Sequence, residues 1–156
     1  MRLIPEQQTK SAQEIASYIQ TNFKGEELQI KAAYFYVIST ISYDVTYNFS
    51  TELFSSDEDF VTKTISTKKG VCIHYAKFFK AIIDKLGYQC QIVTGYTKQN
   101  NQISNLSHAW CAIHMKDGNW YVFDPTWDSG YVKNEKFVHN LVSKHFKMLP
   151  SAAIIS

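Results

Sequence analysis

Long hydrophobic runs are missing from this chain of 156 residues. Its apolar stretches fall well short of the roughly 20 residues a membrane-spanning helix needs, so no span is expected. An excess of one charge is missing too: 16 Lys and Arg stand against 14 Asp and Glu, a formal net charge of +2. That balance excludes an obviously basic nucleic-acid binder. Charged residues make up only 19% and hydrophobic residues 45%, which excludes a disordered chain and supplies a core. An even set of cysteines is also missing. The three thiols, Cys72, Cys90 and Cys111, leave at least one unpaired in a monomer. A full disulfide framework is therefore excluded, while a single Cys90–Cys111 bridge stays open. Repeats, low-complexity tracts and long linkers are absent. The length suits one domain, which at this size buries roughly two-thirds of its unfolded surface without a metal or disulfide staple. The N-terminal segment MRLIPEQQTK lacks the apolar centre of a signal peptide. Aromatic residues are abundant, at 15%, with ten Tyr, ten Phe and three Trp, and most of them are expected in the core.

Hydrophobic spacing divides the chain into helices followed by strands. Ser11-Ala12-Gln13-Glu14 has the pattern of a capping box ahead of Ile15, Ile19 and Phe23 at helical spacing, with Gly25 as the stop. A second helix is expected over about 27–41, with Ile30, Tyr34, Val37 and Ile41 on one stripe. Residues 42–54 read as a connecting loop, and Ser56-Asp57-Glu58-Asp59 caps a short helix through Ile65. After Lys68-Lys69-Gly70 comes a long helix whose face is Ile73, Ala76, Phe79, Ile82, Ile83 and Leu86, ended by Gly87. From Gln89 the period changes to two, through Cys90, Ile92, Thr94 and Tyr96, which indicates a strand. A polar loop is expected over 98–105, then strands over about 107–115 and 119–124 joined at Lys116-Asp117-Gly118. Beyond Pro125 the pattern is weak, with Phe137-Val138, Leu141-Val142 and Phe146 reading as a strand or short helix. Helices followed by an antiparallel meander make an α+β fold, with the sheet packed on the helix that starts at Gly70-Val71-Cys72.

One constellation carries chemistry. Cys72 falls at the start of the long helix, where unpaired backbone N–H groups and the helix dipole favour a thiolate. A backbone N–H at the same turn can donate to an oxyanion. A nucleophilic thiol needs an imidazole, and the imidazole needs an orienting acceptor. His108 begins the second strand and Asp124 ends the third. A two-residue Asp-Gly turn would send their side chains to opposite faces. A three-residue loop with Gly118 in the left-handed position pairs Met115 with Asn119 and sets Asp124 opposite Trp110, on the face of His108. Diagonal neighbours of this kind are about 7–8 Å apart at the backbone, within reach of a His–Asp hydrogen bond. The same register sends Cys111 to the other face, as packing. Taken singly, Cys72 reads equally as a buried structural thiol, His108 as a structural histidine and Asp124-Pro125 as a turn. A rival grouping of Cys72, His74, His108 and Cys111 has zinc-type ligands, but its one-residue Cys72-x-His74 gap and the separation of His108 from Cys111 argue against it.

At these residues the chain resembles the transglutaminase-like superfamily. Lys69-Gly70-Val71-Cys72-Ile73-His74-Tyr75-Ala76 resembles its Cys motif, and Ser107-His108-Ala109-Trp110 its His motif. Trp120-Tyr121-Val122-Phe123-Asp124-Pro125-Thr126-Trp127 is similar to its Asp motif, and Ile41-Ser42-Tyr43-Asp44 to an upstream box. The likeness covers about residues 28–150. His145-Phe146-x-x-x-Pro150-x-x-x-Ile154 resembles the kyphoscoliosis-peptidase-like branch, in which the chain continues into further domains. Residues 1–156 are thus expected to form a single such domain of a longer protein. Two positions depart from the family pattern. His74 stands where Gly is frequent, and Cys111 where Asn is frequent. His74 is expected near the mouth of the site or at the surface.

The resemblance implies a papain-like, transglutaminase-like α+β fold. It also implies thiol chemistry at amide bonds through Cys72, His108 and Asp124, with a thioester intermediate. The backbone N–H of Cys72 would serve the oxyanion, with Tyr43 as the side-chain candidate. Hydrolysis is favoured over cross-linking, because the likeness is to the microbial and peptidase-like branch. The substrate would be a peptide or protein, and no metal or other cofactor is implied. Oligomeric state stays open. So does compartment: a bacterial cell surface or exported setting if a leader has been removed, the cytoplasm otherwise. A different class, a non-catalytic binding or scaffold module on the same fold, is the alternative.

Overall fold

A computed structural model describes residues 4–48, 55–99 and 101–150. The first long helix, α1 (Ala12–Asn22), begins where Ser11 Oγ accepts the Glu14 N–H at 3.1 Å. The Glu14 carboxylate reaches back to the Lys10 N–H, one residue ahead of the cap. Gly25, read from the sequence as a stop, instead caps α2 (Glu26–Thr40) from a left-handed φ of 91°. Helix α2 buries Ala32, Ala33 and Ile38 besides the expected stripe of Ile30, Tyr34 and Val37, so it is wrapped on more than one side. Ser56 Oγ caps α3 (Asp57–Thr67) by accepting the Asp59 N–H, and Lys68 closes it in the left-handed conformation.

The segment after α2 is more than a loop. Ser42–Tyr43 (β1) pairs in parallel with Lys69–Gly70 (β2), through Ser42 N–H to Lys68 O and Asp44 N–H to Gly70 O. The expected loop over 42–54 lies outside the described residues from 49 onward. Helix α4 (Cys72–Lys85) follows at once, and its Tyr75, Ala76, Phe78, Phe79, Ile82 and Ile83 are buried. It packs on α1, α2 and α3 on one side and on the sheet on the other. Each of its fully buried aromatic or branched side chains contributes roughly 1.5–3 kcal/mol.

The sheet is an antiparallel meander of β3 (Gln89–Gln99), β4 (Gln102–His114) and β5 (Trp120–Phe123). The expected polar loop over 98–105 is largely a continuation of the first hairpin, since Lys98 pairs with Ile103 and Gln99 with Gln102. Its polar composition fits a ribbon that projects into water rather than a loop. The second hairpin has the three-residue connection: Met115 donates to Asn119 O, Gly118 donates to Met115 O, and Gly118 has φ +86°. The ladder therefore pairs Cys111 with Phe123 and His114 with Trp120.

The weakly patterned tail resolves into a one-turn helix α5 (Pro125–Ser129) and a hairpin of β6 (Gly130–Lys133) and β7 (Lys136–His139). Met148 then exchanges two backbone hydrogen bonds with Val122, which covers the outer edge of β5. Ile154 of the tail pattern lies outside the described residues. No described helix is long and apolar enough to cross a membrane.

Candidate active site

Three elements converge on Cys72. The first is the start of α4 itself. Val71 is extended, and its N–H donates to His74 Nδ1 at 3.0 Å, so the histidine side chain closes the helix end. His74 is therefore neither at the mouth nor at the surface. It is 5% exposed, stacked on Phe60 at 4.5 Å and edge-on to Tyr47 at 4.9 Å. A Cβ on Gly70 would lie 2.3 Å from His74 Cβ, so glycine at 70 is what admits this cap. The β1–β2 pairing lays Tyr43 beside the same turn. Tyr43 is half-buried, and burial, then the nearby Cys72, push its hydroxyl pKa up.

The second element is β4, which delivers His108, and the third is the end of β5 with α5, which delivers Asp124. The observed ladder, continued by one pair, sets Asp124 opposite Trp110. His108 Nε2 lies 2.7 Å from Asp124 Oδ2, with side chains 11% and 9% exposed. The imidazole is flanked by Trp110 at 5.7 Å and Trp127 at 5.5 Å, which fix its plane. Asp124 is anchored through its backbone: its N–H donates to His145 O and its carbonyl accepts the Tyr34 hydroxyl, each at 2.9 Å.

Electrostatics follow from this placement. Burial works to raise the Cys72 pKa, but it is outweighed by the hydrogen bond with His108, the backbone N–H groups of Ala109 and Ile73, and the imidazole's charge. The thiol is left below its ordinary value. Burial likewise works to lower the His108 pKa. The Asp124 and Cys72 hydrogen bonds and charges overcome it and raise the value to about 9. A lowered thiol beside a raised imidazole favours the thiolate–imidazolium pair, the state in which sulfur is nucleophilic.

Cys111 and Cys90 lie apart from this centre, unbridged and buried, and Cys111 Sγ donates to Ala76 O within α4. With His74 packed on Phe60 and Cys111 turned into the core, the four residues of the zinc-type grouping do not converge.

A second histidine–carboxylate pair, not singled out from the sequence, borders the same cleft. Asp128 is 0% exposed and accepts from the Tyr34 hydroxyl at 2.6 Å and the His145 backbone N–H at 2.9 Å. His145 Nδ1 lies 2.9 Å from its other oxygen. Trp127 stands edge-on to His145 at 5.2 Å while its face lies near His108. The signal available was the helical spacing of Asp124 and Asp128 together with His145 in the tail motif. What hid it was the distance in sequence between α5 and the tail.

A helix-start thiol, a strand imidazole and a hairpin carboxylate on a meander define a transglutaminase-like domain. The family model of the transglutaminase-like superfamily matches residues 13–125, and the chain belongs to that superfamily. Among relatives, it is 31% identical to the mouse kyphoscoliosis peptidase over 99 residues, covering 60% of this chain but 15% of that protein. Among solved structures, a "putative cysteine protease" from Cytophaga hutchinsonii has a TM-score of 0.58 at 23% identity, covering 88% of this chain and 44% of that one. The periplasmic domain of TgpA from Pseudomonas aeruginosa has a TM-score of 0.60 at 19% identity, covering 80% and 46%. The chain thus spans a minor part of the proteins it matches, and these structures speak for the fold, a cysteine-protease-like α+β architecture.

Proposed function

We propose that the protein is a thiol hydrolase that cleaves amide bonds in peptides or proteins through a Cys-His-Asp triad. The observation that carries this reading is the chain of contacts from Cys72 to His108 and from His108 to Asp124 at 2.7 Å, with the thiol lowered and the imidazole raised. Cys72 Sγ attacks the carbonyl carbon, and the C=O π electrons move onto oxygen. The Cys72 N–H, one of the helix-start donors without an intrahelical acceptor, stabilises that oxyanion, with the Tyr43 hydroxyl as second donor. Collapse of the tetrahedral species breaks the C–N bond, and the His108 imidazolium gives its proton to the leaving amine. His108 then takes a proton from water, whose oxygen attacks the thioester and releases the acid and the thiolate. Asp124 holds the imidazole tautomer that allows both transfers.

Water is favoured over an amine as acyl acceptor because no carboxylate among the described residues lines the cleft to hold an alkylammonium group. The family's peptidase relatives support the same choice. Incubation of the purified protein with a peptide library, with and without a primary amine, tests the reading by mass spectrometry. Free carboxyl termini that require Cys72 are expected. Amine adducts in excess of acids would move the assignment to transamidation, and an absence of both to a binding module.

A further inference from the structure

Resting on that reading, we infer that the substrate segment beside the scissile carbonyl carries uncharged, apolar side chains, gripped between the β3–β4 and β6–β7 hairpins. The cleft over Cys72 encloses about 1030 Å³, more than a single small ligand requires and enough for several residues of extended chain. One wall is the projecting part of the first hairpin. Between the pairs Tyr96–Ser107 and Lys98–Ile103, one residue of β3 faces three of β4. Such a bulge re-aims side chains, and here Thr97 and Leu106 both line the cleft. The opposite wall is β6–β7, contributing Tyr131, Val132 and Phe137.

Charge separates this cleft from the rest of the surface. Of its 16 described lining residues none is Lys, Arg, Asp or Glu, although charged residues are 19% of the chain. A second groove, about 540 Å³ between α1, α3 and α4, has six among its 14: Asp57, Glu58, Lys77, Lys80, Asp84 and Lys85. Meanwhile Leu106 is 78% exposed, Val132 52% and Tyr131 48%, apolar surface held open in the cleft that Cys72 lines. Clustered exposed apolar side chains mark a recognition surface. A charged substrate side chain would shed water there with no Lys, Arg, Asp or Glu to meet it, His108 and Cys72 being paired with each other, whereas an aromatic or aliphatic one gains by leaving water. Leu106, Tyr131 and Val132 are therefore the specificity-determining residues.

The test compares the rates at which peptidyl chloromethyl ketones bearing Phe, Leu, Glu or Lys alkylate Cys72, with iodoacetamide as a side-chain-free reference. The Phe and Leu probes should exceed the Glu and Lys probes by roughly tenfold or more, the discrimination expected of an apolar pocket. In Val132→Glu the ratio of Lys-probe to Phe-probe rates should rise about tenfold. Leu106→Glu, on the other wall and fully compatible with an exposed position, should move the ratio in the same direction. Equal rates for the four probes, or a preference for charged ones, would overturn the inference while fast iodoacetamide labelling left the thiol reading standing. Slow labelling of Cys72 by every reagent would overturn the hydrolase reading, and this inference with it.

Discussion

Cys72 and Cys111 both lie against α4, both are unbridged, and their pKa values move in opposite directions. Cys111 meets the body of the helix, where the exposed valence is a carbonyl: its Sγ donates to Ala76 O at 3.3 Å. Burial, then the neighbouring Cys90 thiol and the Asp124 charge, push its pKa well up. Cys72 meets the start of the same helix, where backbone groups are donors, and His108 adds a positive charge. Two thiols at one helix thus differ because one is wholly buried and keeps its proton, while the other meets the helix-start donors and an imidazole and gives its proton up more readily. Helix position and hairpin register, rather than the residue type, set the chemistry.

The contrast can be broken most severely by removing each thiol in turn. Cys72→Ala should reduce turnover on the order of 10³-fold or more, with little change in Tm, since the position is part-exposed. Cys111→Ala should do the reverse, costing about 1 kcal/mol of stability in denaturant titration and leaving turnover close to wild type.

Asp124→Asn comes next. It keeps the shape but offers His108 an ambiguous partner, so turnover should fall on the order of 10²–10⁴-fold. The wild-type pH profile should be bell-shaped, its alkaline limb set by His108 at about 9 and its acid limb by Cys72 below its ordinary value of 9.0. The same shifts bear on stability. His108, raised, contributes stabilisation that is complete below about 6.5 and is lost as pH rises through about 9. Cys72, lowered, contributes above its ordinary value and loses that contribution as pH falls through its lowered one. Thermal midpoints measured across this range in wild type and Asp124→Asn should diverge most where His108 is charged.

Gly70→Ala attacks the helix start from behind. The added Cβ would meet His74 Cβ at 2.3 Å, so the cap must shift, at a cost of about 1–3 kcal/mol. Because Cys72 sits two residues on, its alkylation should slow as well, whereas that of unfolded protein would not. His74→Ala, which loses the Val71 N–H bond and the stacking on Phe60, should cost about 1–2 kcal/mol by chemical denaturation.

Much of this arrangement is legible in the order and spacing of the residues. Period-two spacing and the Lys116-Asp117-Gly118 turn define the meander, and its register sets Asp124 on the face of His108. The capping residues Ser11 and Ser56 announce their helices because such caps are local. What escapes is what depends on contacts between segments distant in sequence. The length of the β3–β4 ribbon is hidden by its polar residues, which resemble a loop when no second layer covers them. His74 gives no sign of being buried, because its partners are Gly70 at its back and Phe60 from another helix. The Asp128–His145 pair joins α5 to the tail across 17 residues, and its buried carboxylate is visible only once Tyr34 from α2 is seen to reach it.

The central claim is that His108 holds Cys72 as a thiolate. The direct measurement is the alkylation rate of each cysteine, resolved by peptide mass spectrometry, from about pH 5 to 8 in wild type and in His108→Ala. The hydrogen bond from His108, the backbone N–H groups and the imidazole charge hold the Cys72 thiol below its ordinary pKa. Cys72 should accordingly react near pH 6 far faster than Cys90 or Cys111, and His108→Ala should slow it there while the fold persists. Identical Cys72 rates in the two proteins across that range would contradict the account and leave the domain a non-catalytic member of its superfamily.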